Sequence, residues 1–250
     1  MSTPVAPIEN NVLGRLSPTA LARLSPHLTL VDLPLGLSIY EAGDALEYMY
    51  FPAAGVVSLL NVMLNGASAE VAVVGYEGVI GIGLVMGGEL ATTRAVVQGA
   101  GCAYRLAGKH LKAEFDRHGE MQHLLLLYTQ SLLRQMAQTV ACNRHHTIDQ
   151  QLCRWLLLSL DRMPTNVLIM TQDLMANMLG VRREGVTEAA GNLQRAGIIS
   201  YQRGRITVLD RPRLEQQSCE CYAAVKSNEP ALDILTKQGR AAATPGYSWE

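Results

Sequence analysis

The sequence has 250 residues, of which 48% are hydrophobic and 17% charged, with a formal net charge of −1 at pH 7. This length accommodates two domains of ordinary size, and the hydrophobic fraction is sufficient for a sizeable core. The sequence contains no apolar run long enough for a transmembrane helix, so we expect no membrane span. Because the N-terminus lacks a basic-then-apolar signal pattern, we predict a cytoplasmic protein.

The cysteines favour reduced thiols over a disulfide framework. There are five, an odd number, scattered between Cys102 and the last quarter of the chain, whereas disulfide frameworks usually show an even number at short spacings. Cys219 and Cys221 are close in sequence, but one such pair lacks enough ligands for a zinc site. We therefore predict buried, inert thiols, with no metal and no cofactor.

The first residues predict a loose arm followed by two short helices. Residues 1–12 carry two prolines and two asparagines, a composition typical of a poorly ordered terminus. Helices are expected over residues 13–16 and 17–24, because Ser17 followed by Pro18 suits a cap and a first helical turn. We therefore expect the compact fold to begin near residue 13.

A strand-rich region follows. Short apolar or alternating runs broken by Gly, Pro, Asn and Asp predict strands at residues 29–33, 38–40, 48–51, 55–64, 68–74, 92–98 and 102–106. Asn65-Gly66, between two of these runs, is a strong hairpin signal. The pattern predicts a small antiparallel barrel or roll, in which the glycine-rich residues 78–88 form a tight connection or a short helix beside a cavity.

A long helix is predicted over residues 120–142, after a short helix over residues 109–115. Five residues at intervals of three and four form a heptad seam, namely Leu126, Thr129, Leu133, Met136 and Val140. A second apolar stripe beside the seam consists of Leu125, Tyr128 and Leu132. We assign the seam to a partner subunit and the second stripe to the strand-rich domain. The alternative is one helix buried against its own domain.

The stretch that begins at Thr171 predicts a helix, a tight turn, a second helix and a two-stranded wing. Thr171 can cap the first helix, and Gly180 suits the left-handed residue that ends a helix before a sharp turn. Gly197 ends the second helix, and residues 199–208 alternate like a hairpin with Gly204 at its turn. Two helices joined in this way form the motif whose second helix reads DNA in the major groove.

The charge of this stretch supports DNA binding. From Arg182 to Arg213 there are seven basic residues and three acidic ones, an excess of +4 in a chain whose net charge is −1. A basic region in a near-neutral protein is an electrostatic footprint for phosphate. The alternative is a three-helix packing unit with a solvated arginine face. The order of helix, glycine turn, helix and hairpin favours DNA binding over that alternative.

The remaining segments surround this motif. An amphipathic helix is expected over residues 147–160, followed by a turn at 161–166 and a short strand at 167–170. A last helix is expected from Asp210 to about Lys226. The tail, residues 227–250, is rich in Ala, Gly, Pro and charge, which is typical of a partly disordered segment.

A roll, a long helix and a winged helix-turn-helix in this order resemble the Crp/Fnr family of bacterial transcription regulators. The resemblance spans about residues 13–225. It is carried by Tyr40-Glu41-Ala42-Gly43-Asp44, Tyr50-Phe51-Pro52, Gly55, Gly180-Val181-Arg182-Arg183-Glu184, Val186 and Gly197-Ile198-Ile199. It implies an α+β fold with an N-terminal antiparallel β-roll of the cyclic-nucleotide-binding, jelly-roll type, a long dimerisation helix and a C-terminal winged helix-turn-helix.

The resemblance also implies a division of labour along the chain. The expected parts are an effector-sensing roll at residues 1–116, a dimerisation helix at 117–146, a DNA-binding domain at 147–226 and a tail at 227–250. In the family, an effector in the roll shifts the long helices of a homodimer and re-aims the reading heads. The implied function is sequence-specific transcription regulation by a homodimer on palindromic double-stranded DNA, with RNA polymerase as a further partner of an activator.

The residues expected to contact DNA follow from the resemblance. The family's Arg-Glu pair at the start of the reading helix matches Arg183 and Glu184, which suit a guanine and a cytosine respectively. A second reading arginine of the family, one turn later, is replaced by Glu188. The complete predicted set is Thr171, Arg182, Arg183, Glu184, Thr187, Glu188, Gln202, Arg203 and Arg205.

The cyclic-nucleotide pocket of the family matches less well. Nucleotide-binding members hold the ribose with a Gly-Glu pair and the cyclic phosphate with an Arg-Ser pair, where this sequence has Gly-Ile and Thr-Thr. A phosphate buried without a guanidinium is poorly compensated, so we expect no standard cyclic-AMP binding. The effector is unidentified, and the alternative is a cavity filled by side chains. The expected pocket residues are Gly81, Ile82, Thr92, Thr93, Arg94 and Met136.

Other effector chemistries of the family lack their residues. Iron–sulfur members cluster cysteines near the N-terminus, whereas the first cysteine here is Cys102. Five histidines suggest haem or another metal, namely His110, His118, His123, His145 and His146. Exposed or junction histidines are the favoured interpretation, because the adjacent His145 and His146 diverge on a helix.

Two rival functions differ in class from a regulator. One is a ligand-sensing or protein-interaction module with a vestigial DNA-binding head, against which Arg183, Arg203 and Arg205 argue. The other is an enzyme, which needs a nucleophile, a base and an orienting group at recognisable spacing. The roll offers only the polar residues Ser58, Ser68, Glu70 and Glu77, so we predict that the protein is not an enzyme.

Overall fold

The structure, a computed structural model, describes residues 6–88 and 90–226. It consists of an N-terminal antiparallel roll, one long helix and a C-terminal winged helix-turn-helix, which confirms the predicted fold class. The tail at residues 227–250 and the first five residues of the predicted arm lie outside the described residues. Within the described ranges, no helix is long and apolar enough to span a membrane.

The described part of the N-terminal arm, residues 6–12, is packed against the roll and is not loose. Its elements are a 3-10 turn Pro7–Glu9, helix α1 Asn11–Gly14 and helix α2 Pro18–Leu24. The fully buried side chain of Asn10 caps α1 and donates hydrogen bonds of 2.9 Å to the carbonyl oxygens of Pro52 and Gly78. Because both partners are distant in sequence, no pattern within residues 1–12 indicates these bonds.

The roll is a five-stranded antiparallel sheet in the order β1-β5-β3-β4, with β2 also paired to β5. Its strands are β1 Thr29–Leu33, β2 Ser38–Tyr40, β3 Tyr48–Val62, β4 Ser68–Val74 and β5 Arg94–Ala107. A 3-10 turn, Ile82–Val85, lies in the glycine-rich connection between β4 and β5. The sequence therefore located every strand of the roll. Of the two alternatives for the glycine-rich stretch, a tight connection or a short helix, the structure shows a short 3-10 helix.

Two pairs of predicted strands, 48–51 with 55–64 and 92–98 with 102–106, each form one continuous strand in the structure. Strand β3 joins the runs expected at 48–51 and 55–64, and its pairing with β5 shifts register around Pro52 and Gly55. Such bulges accommodate a proline or a glycine without ending the strand. Gly55 has φ +94°, and a Cβ atom there would lie 2.6 Å from the carbonyl oxygen of Gly99. The close approach of the two strands therefore requires glycine at position 55.

Helix α3, Gly108–Phe115, leads into the long helix α4, Glu120–His145. The stripe of Leu125, Tyr128 and Leu132 is buried in the hydrophobic core of the roll. The Tyr128 hydroxyl donates a 2.9 Å hydrogen bond to the carbonyl oxygen of Val79. The expectation that this stripe faces the strand-rich domain is confirmed.

The C-terminal part of the described chain forms the reading domain. Its elements are α5 Ile148–Leu160, β6 Val167–Ile169, α6 Gln172–Leu179, α7 Arg183–Arg195, β7 Ile199–Gln202, β8 Arg205–Val208, α8 Arg211–Gln217 and α9 Cys221–Lys226. The three strands form a wing sheet in the order β6-β8-β7. The single last helix expected from the sequence is therefore wrong, because the chain breaks at residues 218–220.

The roll and the reading domain share a hydrophobic core. Val56, Leu60 and Val73 of the roll belong to the same buried cluster as the apolar residues of α5 and of the helix-turn-helix. Every residue of α5 from Gln151 to Leu160 is buried. Helix α5 is thus the element on which both domains pack, and it fixes the reading domain against the roll.

Candidate DNA-reading surface and effector cavity

The helix-turn-helix is built by local signals that place the N-terminus of α7 at the surface. The Thr171 hydroxyl caps α6 by accepting a hydrogen bond from the backbone N–H of Leu174 at 3.2 Å. Gly180 ends α6 with φ +66°, a conformation that glycine adopts without strain. The buried face of α7 consists of Val186, Ala189, Ala190 and Leu193. The opposite face is therefore free to meet a ligand.

The N-terminal end of α7 carries five of the predicted DNA contacts on that exposed face, namely Arg182, Arg183, Glu184, Thr187 and Glu188. The guanidinium of Arg183 lies 3.5 Å from the carboxylate of Asp173 on α6, and both side chains are more than half exposed. The Thr187 hydroxyl donates a 2.9 Å hydrogen bond to the side-chain oxygen of Gln172. Helix α6 therefore orients the exposed side chains of α7.

The wing projects three of the predicted DNA contacts from a two-residue turn. Gln202 pairs with Arg205 across the hairpin, and the turn residues Arg203 and Gly204 have φ +50° and φ +75°. Positive φ at both positions is the geometry of a type I′ turn, whose twist matches the flanking strands. The side chains of Gln202, Arg203 and Arg205 are all exposed.

The positive charge of this region is smaller than the sequence count suggests. Arg211 forms ion pairs with Asp161 and, at 2.9 Å, with Glu215. Burial opposes the charge of Arg211, but the hydrogen bond and the charge of Asp161 outweigh it and raise the pKa of the guanidinium. Arg211 is thus a packing residue. Five exposed arginines of this region form no ion pair with any described residue, and these are Arg182, Arg195, Arg203, Arg205 and Arg213.

The reading domain is docked against the roll. A cleft of about 490 Å³ separates the two, with Gln98 and Arg94 of the roll on one side and Thr171 and Arg203 of the reading domain on the other. The turn at Gly180 reaches strand β4 so closely that a Cβ atom there would lie 3.0 Å from the side chain of Ala69. Two of the predicted DNA contacts therefore face this cleft in the described arrangement.

A second cavity, of about 290 Å³, lies inside the roll beneath the long helix. Five of the six predicted pocket residues line it, namely Gly81, Ile82, Thr92, Thr93 and Met136. The sixth, Arg94, does not line this cavity, because its guanidinium lies 3.0 Å from the carboxylate of Glu41 and it borders the interdomain cleft. Arg94 was included in the predicted pocket because it follows Thr92 and Thr93 in the sequence, but on strand β5 its side chain lies on the side of the interdomain cleft.

The cavity has an uncharged lining. Within residues 6–88 and 90–226, the structure places only apolar and hydroxyl-bearing side chains around it. Tyr40, which sequence reasoning missed, supplies a phenol beside Thr93. Burial raises the pKa of Tyr40 to about 12, so the phenol stays protonated and can donate a hydrogen bond. Thr129, Leu132 and Leu133 of α4 complete the wall.

The heptad seam of α4 remains at the surface. Leu126, Leu133 and Val140 are 57%, 59% and 69% exposed. Thr129 and Met136 are half-buried because they line the cavity. A row of exposed large apolar side chains at heptad spacing is unusual on a surface that faces only water.

The polar residues of the roll that an enzyme could have used form structural pairs. Glu70 is buried and accepts hydrogen bonds from the Ser58 hydroxyl and, at 3.3 Å, from the indole N–H of Trp155. Glu77 accepts a 2.7 Å hydrogen bond from Arg162. The hydroxyl of Ser68 lies 3.5 Å from the carbonyl oxygen of Asn177. These contacts join the roll to the reading domain.

Two family models match separate parts of the chain. The cyclic nucleotide-binding domain matches residues 30–118, and the Crp-like helix-turn-helix domain matches residues 150–217. A comparison with curated proteins found no match. The matched segments are the roll and the reading domain described above, and together they cover more than half of the chain.

Several solved structures share the fold. A protein from Eubacterium rectale assigned to the Crp/Fnr family of transcriptional regulators has 16% identity and a TM-score of 0.67, covering 84% of this chain and 98% of that one. FixK2 from Bradyrhizobium japonicum has 18% identity and a TM-score of 0.63, covering 77% and 98%. The c-di-GMP-responsive global regulator CLP from Xanthomonas campestris has 14% identity and a TM-score of 0.60, covering 77% and 99%.

The two matched domains flank the long helix. A cyclic nucleotide-binding domain precedes the long helix, and a Crp-like helix-turn-helix domain follows it. The solved structures match nearly their entire lengths to this arrangement. The chain therefore belongs to the Crp/Fnr family of transcription regulators.

Proposed function

We propose that this regulator binds an inverted-repeat DNA site as a homodimer, with helix α7 of each subunit in the major groove. The observation that carries this proposal is the exposed N-terminal turn of α7, which presents Arg183 and Glu184 from a buried helix-turn-helix scaffold. Recognition helices of this motif contact base edges with their N-terminal residues. Half-sites about one helical turn, roughly 34 Å, apart would fit such a dimer.

Base reading would centre on Arg183 and Glu184. An arginine can donate two hydrogen bonds to guanine O6 and N7, and a glutamate can accept one from cytosine N4. The ion pair between Arg183 and Asp173 restrains the arginine only weakly, because exposed ion pairs contribute at most about 1 kcal/mol. Arg183 can therefore exchange Asp173 for a base.

Glu188 lies one turn further along α7 and has two candidate partners on DNA binding. One is a cytosine amino group and the other is Arg182. Glu188 forms no ion pair with any described residue, Arg182 included. A carboxylate without a partner in the groove is repelled by phosphate, so we favour a base contact that makes the half-site differ from the family's usual sequence.

The wing and the ends of the motif would bind phosphates. Gln202, Arg203 and Arg205 flank the hairpin turn, a position that reaches the DNA backbone and not the base edges. Thr171, Arg182 and Thr187 surround the N-terminal end of α7 and complete the phosphate-binding set. Thr171 and Arg203 border the interdomain cleft, so DNA binding requires that the cleft-facing side of the reading domain be accessible to DNA.

The seam of α4 supports the homodimer. Its leucines and valine are exposed in the single chain, although the neighbouring stripe of the same helix is buried in the roll. Pairing with the seam of a second α4 would remove Leu126, Leu133 and Val140 from water, with Thr129 and Met136 between them.

The sensor roll at residues 1–116, the dimer helix at 117–146 and the DNA-binding domain at 147–226 are the parts we propose.

An effector in the roll cavity would act directly on the dimer helix, because Met136 and Leu133 lie in both the cavity wall and the seam. A cavity of about 290 Å³ with apolar walls and a few hydroxyl groups suits a small, largely apolar molecule. The uncharged lining gives a cyclic phosphate no compensating cation. We therefore propose an uncharged effector in place of cyclic AMP.

We further propose that the protein is neither an enzyme nor a protein-interaction module with a vestigial DNA-binding head. The polar residues of the roll are engaged in structural pairs, which supports a protein without catalytic activity. The exposed arginines of α7 and the wing argue against a protein-interaction module with a vestigial head. RNA polymerase would be a further partner if the protein activates transcription.

Binding-site selection with the full chain tests the DNA proposal. We expect an inverted repeat whose half-sites each contain a guanine that depends on Arg183. Selection with Glu188→Ala distinguishes the two partners of Glu188, because an unchanged motif means that Glu188 reads no base. A selected motif without any guanine that depends on Arg183 contradicts the assignment of α7 as the reading helix.

Sedimentation of Leu133→Glu tests the homodimer. A charge at position 133 would place two carboxylates at the dimer axis, and burying unpaired charges is costly, so we expect a monomer. Leu209→Glu is the matched control, because Leu209 is 61% exposed and lies outside the seam. If Leu133→Glu sediments as the wild type does, the seam is not the interface.

A further inference from the structure

Four potential metal ligands from two distant parts of the chain meet at the end of the long helix. They are Cys142, His146, Cys219 and Cys221, whose ligand atoms all lie within 4.8 Å of one another. The sulfur atoms of Cys142 and Cys219 are 3.6 Å apart, and the sulfur of Cys221 is 3.5 Å from Nδ1 of His146. All three cysteines are buried.

Helix geometry and a helix break bring these groups together. Cys142 lies in the last turn of α4, and His146 is the extended residue that follows the helix; its backbone N–H donates to the carbonyl oxygen of Cys142 at 3.0 Å. The ligand atoms of both residues therefore meet at the end of α4. Cys219 and Cys221 lie where the chain breaks between α8 and α9. The Cys-x-Cys pair recognised in the sequence therefore obtains its two missing ligands from α4.

The distances fit a single tetrahedral ion. With zinc–sulfur bonds of about 2.3 Å and zinc–nitrogen bonds of about 2.0 Å, neighbouring ligands of a tetrahedron lie roughly 3.5–3.8 Å apart. Two of the ligand pairs already have this separation. An iron–sulfur cluster binds its cysteines through several iron atoms and so spreads them more widely. A disulfide between Cys142 and Cys219 would leave Cys221 and His146 without a role.

Neighbouring polar groups orient the candidate ligands, as they usually do at metal centres. Nε2 of His146 lies 3.2 Å from the carboxylate of Glu220, and a carboxylate at the second ring nitrogen directs the first toward a metal. The side-chain amide of Gln138 donates to the sulfur of Cys221 at 3.0 Å. Hydrogen bonds of this kind stabilise thiolate ligands.

A buried arginine balances the charge. Three thiolates around a divalent ion leave one negative charge, and Arg154, which is only 6% exposed, lies nearby with its Nε atom lacking a hydrogen-bond partner among the described groups. The positive charge of Arg154 acts directly on the sulfur of Cys142. The same guanidinium donates a 2.8 Å hydrogen bond to Thr139.

We propose that Cys142, His146, Cys219 and Cys221 bind one divalent ion of the zinc type in a closed, four-coordinate structural site. Four protein ligands leave no open position, which is typical of structural and not of catalytic zinc. The site joins the C-terminus of α4 to helices α8 and α9, beside the junction at which α5 begins. An ion there would fix the angle between the dimer helix and the reading domain.

Metal analysis of the full chain tests this site independently of DNA binding. We expect one zinc ion per chain after purification with a thiol reductant and exhaustive dialysis. Cobalt(II) should replace zinc and give the intense visible bands and thiolate charge-transfer absorption of a tetrahedral centre. Cys142→Ser and Cys219→Ser should each lose the stoichiometric ion. Cys102→Ser should keep it, because Cys102 lies in strand β5 of the roll.

Glu220→Gln keeps all four ligands and covers the case in which the cysteine variants fail to fold. Glu220 is 79% exposed, so its replacement should leave the fold intact, yet loss of an orienting carboxylate typically weakens metal affinity about tenfold or more. A wild-type chain that binds neither zinc nor cobalt in stoichiometric amount overturns the proposal. So does a stoichiometric Cys142–Cys219 disulfide, or metal binding that survives in both cysteine variants.

Discussion

The two candidate binding sites of this regulator are opposite in character. The roll cavity is a recess lined by apolar and hydroxyl-bearing side chains, whereas the N-terminal end of α7 is exposed and carries two arginines and two glutamates. The first suits a small molecule recognised by shape and burial, and the second suits a polyanion recognised by charge and hydrogen bonds. The two candidate sites therefore differ in the chemistry of the ligand that each would accept.

The largest expected effect lies on the charged side of this comparison. Arg183→Ala should lose about 1–3 kcal/mol of discrimination at its own base pair, because a bidentate contact to guanine disappears. Arg195→Ala is the matched control, since Arg195 lies at the other end of α7, about 18 Å away along the helix axis. Competition binding with single-base variants of the selected site measures the difference. Equal losses in both variants would mean that α7 attracts DNA by charge alone.

Glu70 is the exception to the contrast, because it is a carboxylate buried in the roll. Burial raises the pKa of Glu70 from 4.5 to about 6, although hydrogen bonds from Ser58 and Trp155 act against the rise. The folded chain therefore holds this proton more tightly than the unfolded chain. Stability should fall as the pH rises from about 4.5 to about 6, by about 2 kcal/mol in total.

The substitution Glu70→Gln should remove this pH dependence. The uncharged amide can still accept hydrogen bonds, so the variant should be about 2 kcal/mol more stable than wild type at pH 7 and similar to it at pH 4. Urea unfolding at one protein concentration and both pH values measures this. Glu77→Gln should instead destabilise the chain at pH 7, because it removes a charged partner of the buried Arg162. A destabilised Glu70→Gln would contradict the raised pKa.

A smaller effect is expected at the wing. Arg203→Ala and Arg205→Ala should weaken binding to all sequences about equally, and each should lower the slope of affinity against salt by about one unit. Neither arginine forms an ion pair with a described residue, so their loss should leave the fold intact. A change in base preference in either variant would show that the wing reads sequence.

The sequence predicted the features that depend on neighbouring residues. The caps at Ser17 and Thr171 and the turn at Gly180 lie where expected, because capping and left-handed turns are decided within a few residues. The strands of the roll were located for the same reason. The exposed seam and the arginines of α7 followed from helical periodicity once the helix bounds were known.

The features that depend on distant contacts could not be predicted. Asn10 is fixed by carbonyl groups of Pro52 and Gly78. The described part of the arm therefore packs on the roll, although a loose arm was expected. Arg94 points to Glu41 and away from the cavity, because the twist of β5 decides its direction. The cysteine cluster joins residues 77 positions apart. Two local signals were usable: the close pair of Cys219 and Cys221, and the four-residue spacing of Cys142 and His146 at the end of α4.

The smallest expected effect tests the uncharged side of the comparison, because we expect cyclic AMP to change nothing. A cyclic phosphate in the roll cavity would meet Ile82, Thr92 and Met136, and the described lining offers no cation to replace its hydration. A site with micromolar affinity would stabilise the folded chain by about 4 kcal/mol at millimolar cyclic AMP. We therefore expect no shift of Tm at millimolar cyclic AMP and no heat of binding by calorimetry. A clear rise in Tm would mean that the cavity recruits charge on binding, and the contrast between the two sites would no longer hold.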